Sequence, residues 1–383
     1  MPDAPPYFFD QTPESLAELF VGWGLAGFRA KQVMQWVYAK GVADPQQMSN
    51  LSQHDRDLLA ERMRFVRGAV IQHQRATDGT QKLLVDWSLE PGGSRADPNN
   101  IPVGGLQVLN NAGHGRADSQ TECVMIPARS EDSGRERKTA CVSSQVGCPV
   151  GCRFCASGLT GLDGNLTSGQ IVQQVWQLAR LPGVGRITNV VFMGMGEPLS
   201  NFRAVARAVR VMMADWGLGI SGRRITVSTV GMPSPMKRLA ELDLPITLAI
   251  SLHAPNDEVR RQIIPWAEFV TIEQLIDAGR YYFDRTGREV TLEYILLAGL
   301  NDQPEHAGEL AEVSRRLRSN INLIRYNEVA GLPYGRPSTE DVHRFQRVLQ
   351  DAGRTVHIRA SRGRDIAAAC GQLRHENKPS STG

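Results

Sequence analysis

The chain has 383 residues, of which 41% are hydrophobic and 22% charged, and this composition excludes a wholly disordered protein. Its 43 Lys and Arg against 40 Asp and Glu leave a net charge of only +3. A generally basic nucleic-acid binder is therefore excluded, and any contact with nucleic acid must use a local patch. The length suits two domains, or one α/β domain with additions.

The N-terminus has neither a basic segment nor an apolar run, and no stretch reaches 18 consecutive apolar residues. The sequence thus predicts a cytoplasmic protein without a membrane partner. Four of its six cysteines fall between Cys141 and Cys155. In a reducing compartment, clustered cysteines more often bind metal or take part in chemistry than form structural disulfides.

Residues 1–66 read as a small helical domain. Its first helix begins at Thr12-Pro13-Glu14, where Thr12 suits an N-cap and Pro13 the first turn. Apolar spacing predicts a second helix over Phe28–Tyr38 and a third over Gln53–Met63. A packing or docking role and a nucleic-acid contact are equally compatible with this domain.

Residues 67–138 read as a β-hairpin and linker region, with strands at Ala69–His73, Gln81–Ser88 and Cys123–Ile126. Residues 91–120 hold six Gly, four Asn and three Pro, which predicts a flexible insertion between two strands of a hairpin. The polar run Ser130–Lys138 reads as a surface loop.

From residue 139 to 375, short β-type runs alternate with amphipathic helices. Six such repeats predict a parallel sheet and, being fewer than eight, a partial (βα)6 barrel with ligands at the carboxyl ends of its strands. Residues 376–383 read as a disordered tail. The predicted strands are Ala140–Ser144, Ile187–Met193, Ile225–Val230, Ile246–Leu252, Val290–Leu296 and Ile321–Tyr326, followed by Val356–Ala360. The predicted helices are Ser168–Leu181, Phe202–Trp216, Pro235–Glu241, Ile272–Thr286, His306–Arg318 and Thr339–Asp351.

Three cysteines, Cys148, Cys152 and Cys155, lie within eight residues just after the first predicted barrel strand. Three thiolates are one short of a closed tetrahedral zinc site. They suit a [4Fe–4S] cluster that leaves one iron open for a small molecule. A zinc-binding loop, or unconnected buried thiols, is the alternative.

This C-x3-C-x2-C spacing resembles that of the radical S-adenosylmethionine (SAM) superfamily, in which the open iron binds SAM. Phe192-Met193-Gly194-Met195-Gly196-Glu197-Pro198, one βα unit later, resembles the glycine-rich GGEP-type motif of the same superfamily. The resemblance implies that Gly196 and Glu197 meet the SAM amino group, and glycines do allow a close approach of the backbone.

A finer resemblance, to the RlmN/Cfr family, spans essentially the whole chain. Members of that family are radical SAM methyltransferases that methylate a carbon of an RNA adenine. The motifs that carry the resemblance are Cys141 to Cys148, the segment Met193 to Pro198, Ser251 to Asp257, and Ala369-Cys370-Gly371-Gln372-Leu373.

The resemblance implies roles for two further thiols and one carboxylate. Cys370 would carry a methyl group from a first SAM, and a second SAM would supply the radical. Cys141 would resolve the covalent link between RNA and protein, with a transient disulfide to Cys370, and Glu122 would take the ring proton. Taken without the family, Cys370 reads by default as a buried structural cysteine, and for Cys141 the alternative is a core residue of its strand. Cys123 has no assigned role.

The SAM-binding positions carried over from the family all fall at the carboxyl ends of predicted strands, where fold logic places a ligand. They are Gly196, Glu197, Ser228, Ser251, Leu252, His253 and Asn327.

The implied activity is methylation of C2 of adenosine 2503 in 23S rRNA, and of adenosine 37 in tRNA. The alternatives are Cfr-like methylation at C8 and a non-catalytic, zinc-containing RNA-binding protein. The family also implies a flavodoxin-type electron donor, and we expect a monomer. Residues 344–383 hold eight Lys or Arg and three Asp or Glu, and their arginines Arg359, Arg362 and Arg364 are candidate RNA contacts. A second candidate patch comprises Arg135, Arg137 and Lys138.

Overall fold

Ten strands form one continuous sheet in the computed structural model, which describes residues 5–89, 119–129, 134, 136–159 and 161–373. The predicted insertion, up to residue 118, and the predicted tail lie outside the described residues. The sheet strands are β1 (Ala69–Arg75), β2 (Gln81–Asp86), β3 (Gln120–Arg129), β4 (Glu136–Cys141), β7 (Asn189–Phe192), β8 (Ile225–Thr229), β9 (Thr247–Ser251), β10 (Val290–Leu296), β11 (Ser319–Arg325) and β12 (Val356–Arg359). A separate small hairpin consists of β5 (Gln145–Gly147) and β6 (Leu162–Asn165).

Helices of one and a half to four turns connect these strands. No helix in the described part of the chain is both long and apolar enough to cross a membrane. The helices are α1 (Pro13–Gly22), α2 (Arg29–Met34), α3 (Gln53–Arg62), α4 (Ser168–Ala179), α5 (Phe202–Met213), α6 (Pro233–Ala240), α7 (Asp257–Ile263), α8 (Ile272–Thr286), α9 (Pro304–Arg315) and α10 (Thr339–Asp351).

The parallel part of the sheet runs in the order β4-β7-β8-β9-β10-β11-β12, and every neighbouring pair in it is parallel. The order is linear, so the sheet does not close on itself among the described residues. This confirms the predicted partial barrel, with β12 as an additional parallel strand. Parallel strands align their carboxyl ends at one edge, which is where the candidate site lies.

Strand β3 joins the hairpin to the barrel, because it pairs antiparallel with β2 on one side and with β4 on the other. β4 begins at Glu136, so the predicted loop Ser130–Lys138 ends too late and the predicted strand start at Ala140 is four residues late. The charged residues Glu136 to Lys138 hide this strand from a hydrophobicity pattern, yet their backbone continues the ladder as far as Arg129. The predicted division after residue 138 therefore falls inside a strand.

The N-terminal helices pack against α4. The Trp176 indole donates to the Val37 carbonyl at 2.8 Å, and the Phe9 ring meets Trp176 edge-on with centroids 5.5 Å apart. Asp10 accepts a hydrogen bond of 2.7 Å from the Gly169 amide, so that a carboxylate from outside caps this helix. The predicted helix over Phe28–Tyr38 is real but divided, because α2 passes into a π-helical turn over Gln35–Ala39.

Gly169 provides a test of this packing. A Cβ atom there would lie 2.5 Å from the Tyr7 ring and 2.9 Å from the Asp10 amide, so Gly169→Ala is expected to destabilise the fold by about 1–3 kcal/mol. Gly308→Ala, in α9 with nothing within 4 Å, is the matched control and should raise stability by about 0.5–1 kcal/mol. Urea unfolding measures both, and equal stability of the two variants would contradict the assigned packing.

Candidate active site

The loop that carries Cys148, Cys152 and Cys155 is shaped by the β5–β6 hairpin. The Cys148 amide donates to the Gly161 carbonyl at 2.7 Å, and the Cys155 amide donates to the Cys152 carbonyl at 3.1 Å. Gly147 has φ +72°, and a Cβ there would lie 1.9 Å from the Gly161 oxygen. Only glycine fits at this position, because both the backbone angle and the space exclude a side chain.

The three thiols are half-buried and line one cavity, which we call the cysteine-loop cavity; its volume is about 140 Å³. Burial raises the pKa of all three thiols, that of Cys148 to about 12. Thiols in such surroundings ionise when a metal binds them, which is how a cluster would use this donor set. Among the described residues, no three His, Cys, Asp or Glu side chains are placed to hold a single metal ion. Cluster thiolates each bind a different iron, so they need not converge on one point.

The glycine-rich segment after β7 lies against the start of β5. Gly196 has φ +98°, and a Cβ there would lie 2.6 Å from the Gln145 Cβ atom. The Glu197 amide donates to the Gln145 side-chain oxygen at 2.8 Å. The buried Glu197 carboxylate accepts from the Leu199 amide at 2.9 Å and from the Val230 amide at 2.8 Å. Burial nevertheless raises the pKa of Glu197 to about 7, and a bound ammonium group would favour its ionised form.

Ser228, Ser251 and His253 line the same cavity at the ends of β8 and β9, as predicted. The Ser228 and Ser251 hydroxyls are 3.3 Å apart. His253 has φ +60°, and its Nδ1 accepts from the Ile295 amide at 3.1 Å, which leaves the ring proton on Nε2. Burial lowers the pKa of His253 to about 3, so the ring is neutral at physiological pH.

Two of the predicted positions are placed differently. The Leu252 side chain is fully buried in the main core, so only its backbone is available to a ligand. Asn327 does not line the cysteine-loop cavity but the adjoining one described below, and its Oδ1 accepts from Arg336 at 2.8 Å.

Arg260 is a structural member of this site that the sequence did not reveal. It lies fully buried on α7, a seven-residue helix too short to show a periodic pattern. Its guanidinium donates to the carbonyls of Val230 at 2.6 Å and Leu252 at 3.2 Å, which follow β8 and β9. Arg260 thereby satisfies carbonyls at both strand ends behind Ser228 and His253.

Cys370 lies beside the cysteine loop although 215 residues separate it from Cys155. The Ala156 amide donates to the Gly371 carbonyl at 2.8 Å, and the Ser157 hydroxyl donates to the Leu373 carbonyl at 2.6 Å. Cys370 consequently lines the cysteine-loop cavity together with the three loop cysteines. Cys370 and Gly371 thus form part of the wall of this cavity.

Cys370 also lines a second, larger cavity of about 520 Å³, which we call the thiol cavity because Cys141 faces it as well. Ligand pockets measure about 300–1,000 Å³, so this space is large enough for a nucleobase. The two thiols are free rather than joined in a disulfide. Cys141 packs against Val124 and Leu373, and burial raises its pKa to about 12. The two cavities share Met193, Glu293, Ile324, Arg359 and Cys370 as lining residues.

Glu122 lies outside both cavities. It is buried on β3, and its Oε1 forms an ion pair of 2.6 Å with Lys82. The Lys82 ammonium also donates to the Ala367 carbonyl at 3.4 Å. Val124 pairs with Cys141, the last residue of β4, so Glu122 lies two residues beyond the end of that pairing. The structure therefore does not bring this carboxylate to the two thiols.

The remaining sequence candidates are divided between interior and surface. Arg359 points into the shared wall of the two cavities, whereas Arg362 and Arg364 are exposed. Arg137 lines the thiol cavity, and Lys138 donates to the Val184 carbonyl at 2.5 Å. Arg135 lies outside the described residues. Cys123 is fully buried in the core, and burial raises its pKa.

A partial parallel barrel with three cysteines on the loop that follows its first strand, and a glycine-rich turn after the next, is the arrangement of a radical SAM enzyme. The model of the radical SAM superfamily matches residues 142–311. A second model, the ribosomal RNA large subunit methyltransferase N-terminal domain, matches residues 8–65. Membership of the superfamily implies a [4Fe–4S] cluster and SAM.

Relatives specify the class further. The chain is 41% identical to a dual-specificity RNA methyltransferase RlmN of Dichelobacter nodosus, over 95% of this chain and 93% of that one. It is 43% identical to a probable RlmN of Symbiobacterium thermophilum, over 94% and 89% of the two chains. A crystal structure of a radical SAM methyltransferase from Sphaerobacter thermophilus superposes with a TM-score of 0.84 at 37% identity, covering 97% of this chain and all of that one. The chain belongs to the RlmN family of radical SAM RNA methyltransferases.

The buried Lys82–Glu122 pair can be tested by mutation. Lys82→Met removes the ammonium that lies 2.6 Å from the buried Glu122 carboxylate, and should destabilise the fold by about 3–5 kcal/mol. Lys82→Met combined with Glu122→Gln removes the carboxylate charge as well and should recover most of that loss. Denaturant unfolding of the single and double variants measures the coupling. Additive effects would show that the two side chains do not depend on each other.

Proposed function

We propose that this chain methylates C2 of an RNA adenosine, with adenosine 2503 of 23S rRNA and adenosine 37 of tRNA as its substrates. The observation that carries the proposal is the placement of Cys370, which shares one cavity with the three loop cysteines and a second with Cys141. A thiol that must meet both a methyl donor and a nucleobase needs access to two adjoining spaces.

In this proposal Cys148, Cys152 and Cys155 hold the [4Fe–4S] cluster. Gly196 and Glu197 bind the SAM amino group, since the Glu197 carboxylate is buried at a turn where glycine allows a close approach. The other SAM contacts are the side chains of Ser228, Ser251, His253 and Asn327 and the backbone of Leu252. When bound, the cluster and SAM would supply a 5′-deoxyadenosyl radical. A separate SAM molecule would supply the methyl group, so that each turnover uses two SAM.

Cys370 accepts the methyl group on its sulfur and presents it to the adenine in the thiol cavity. Cys141, which lines the same cavity, releases the RNA by attacking the Cys370 sulfur. An S–S bond forms between the two cysteines, and the bond from that sulfur to the transferred carbon breaks. The carbon keeps the electron pair and takes up a proton, and a cytoplasmic thiol reductant then reduces the disulfide to two thiols. Glu122 takes the ring proton. Because Glu122 is ion-paired with Lys82 beneath Ala367, this last role requires the Ala367 turn to move when RNA binds. Ala367 has a left-handed backbone, at φ +48°, which is strained for a residue with a side chain, so that such a movement would relieve strain.

RNA as the substrate is supported by the names of the relatives and by the exposed basic residues around the thiol cavity. Arg137 and Arg362 line its rim, where phosphate contacts would position the RNA without reading its sequence. A flavodoxin-type protein would donate the electron, and the enzyme would act as a monomer in the cytoplasm, where its RNA substrates are.

The activity is tested by nucleoside mass spectrometry of rRNA and tRNA from cells with and without the gene. We expect 2-methyladenosine to disappear from both RNAs when the gene is deleted. If the nucleoside that is present only in cells with the gene is 8-methyladenosine instead, the enzyme has Cfr-like chemistry. A colourless protein that contains zinc but neither iron nor sulfide after anaerobic purification would refute the radical mechanism.

The assignment of the two thiols leads to a separate prediction. Cys141→Ala should accumulate a covalent adduct between RNA and Cys370, because the thiol that releases the RNA is missing. Cys370→Ala should form no adduct and no methylated RNA. Denaturing gel electrophoresis and peptide mass spectrometry detect the adduct. Normal turnover of Cys141→Ala would show that Cys141 has another role.

A further inference from the structure

Arg359 and Glu293 occupy the shared wall of the two cavities, yet no step of the proposed reaction uses them. Arg359 ends β12 and Glu293 lies in the middle of β10, and both line the cysteine-loop cavity and the thiol cavity. The Glu293 side chain is 3% exposed and that of Arg359 is 27% exposed, so a buried carboxylate faces a half-buried guanidinium where the two cavities meet. Burying a carboxylate costs free energy, and such groups gather at functional sites.

The pair is only partly satisfied. Glu293 is buried, and its Oε1 accepts from the Asn322 side-chain amide at 3.0 Å. Its Oε2 has no hydrogen-bond partner among the described residues. That oxygen is 3.9 Å from Arg359 Nη1, and the same nitrogen contacts the Met193 sulfur at 2.9 Å. A thioether is a weak acceptor, so the guanidinium retains donor capacity towards the cavities.

The side chains that flank Cys141 in the sheet are apolar. Val124 of β3 and Val191 of β7 pair with it on either side, and Met195 packs close by. The charged and titratable groups that face the same cavity are Arg359 and His357 from β12, Glu293 from β10, Arg137 from β4, and Arg362 and Cys370 from the C-terminal segment.

Two of these groups act on Cys141 in opposite directions. Beyond the effect of burial, the Cys370 sulfur raises the pKa of Cys141, whereas the Arg359 guanidinium and, to a smaller extent, a hydrogen bond with the Met193 backbone lower it. A thiolate in apolar surroundings is costly unless a cation is near. Arginine suits this position because it remains charged when buried.

We propose that Arg359 is a positioning residue that favours the ionised form of Cys141, and that Glu293 opposes it by drawing part of the guanidinium charge away from the thiols. The thiol proton passes to water in the thiol cavity, and no oxidation or reduction is involved. The role of Cys141 as the RNA-releasing thiol rests on the proposed function, whereas its ionisation can be measured without RNA.

The experiment measures thiol alkylation in the reduced holoenzyme, purified anaerobically. Iodoacetamide is added over a series of pH values, and carbamidomethylation of Cys141 is followed by peptide mass spectrometry. Because only the thiolate reacts, the rate below the pKa follows the ionised fraction. We expect Arg359→Met to slow the alkylation of Cys141 by about tenfold at neutral pH, which corresponds to about one unit of pKa. Arg359→Lys should restore most of the rate.

Glu293→Gln should have the opposite effect to Arg359→Met. It removes the carboxylate that competes for the guanidinium, and should therefore accelerate the alkylation of Cys141. A loosened fold would accelerate alkylation in both variants, so it would not slow the reaction in one variant and accelerate it in the other. Cys123, which is fully buried and lines neither cavity, is the internal control, and its labelling would reveal such loosening. If Cys123 of Arg359→Met becomes labelled, the Glu293→Gln arm decides. Equal rates in the unaltered enzyme and Arg359→Met, or an unchanged or slower rate in Glu293→Gln, would overturn the inference. The alkylation experiment needs no RNA, so its outcome does not depend on whether deletion of the gene removes 2-methyladenosine. A failure of the proposed function and a failure of this inference can therefore be told apart.

Discussion

Two hydrogen bonds between distant segments hold the site together. The Ala156 amide and the Ser157 hydroxyl, just after the cysteine loop, donate to the carbonyls of Gly371 and Leu373. Each bond contributes only about 0.5–1.5 kcal/mol on its own. Together they place Cys370 where the two cavities meet. Cys370 therefore lines both the cavity of the loop cysteines and the cavity of Cys141.

Around this junction the protein buries more charge than a hydrophobic core tolerates without partners. Glu197 is held by backbone amides, Arg260 by backbone carbonyls, and Lys82 and Glu122 by each other. These groups are satisfied internally and fix the strand ends and the Ala367 turn. Glu293 differs, because one of its oxygens has no hydrogen-bond partner among the described residues and lies at the cavity wall. The contrast separates groups that build the site from groups that remain available to act in it.

Elements with a clear apolar period are predictable, and α8, α10 and β10 match their predicted bounds at both ends. Elements that form through contacts with distant segments, and that show no periodic apolar pattern, are not predictable in this way. The start of β4 is highly charged, and it is a strand because its backbone pairs with β3. Helix α7 is too short to show a periodic apolar pattern. The π-helical turn after α2 accompanies packing against Trp176, which follows more than 130 residues later.

By itself the sequence determined the chemistry of the donor set: three cysteines at fixed spacing, a glycine-rich turn with Glu197, and two further thiols in recognisable motifs. Those features are local, because spacing and backbone freedom are properties of a few consecutive residues. Only the tertiary structure decided which groups meet. It placed Cys141 and Cys370 across one cavity, paired Glu122 with Lys82 outside it, and put Arg359 and Glu293 at the junction. Side chains far apart in sequence become neighbours through strand register and segment docking, and no local pattern encodes that geometry.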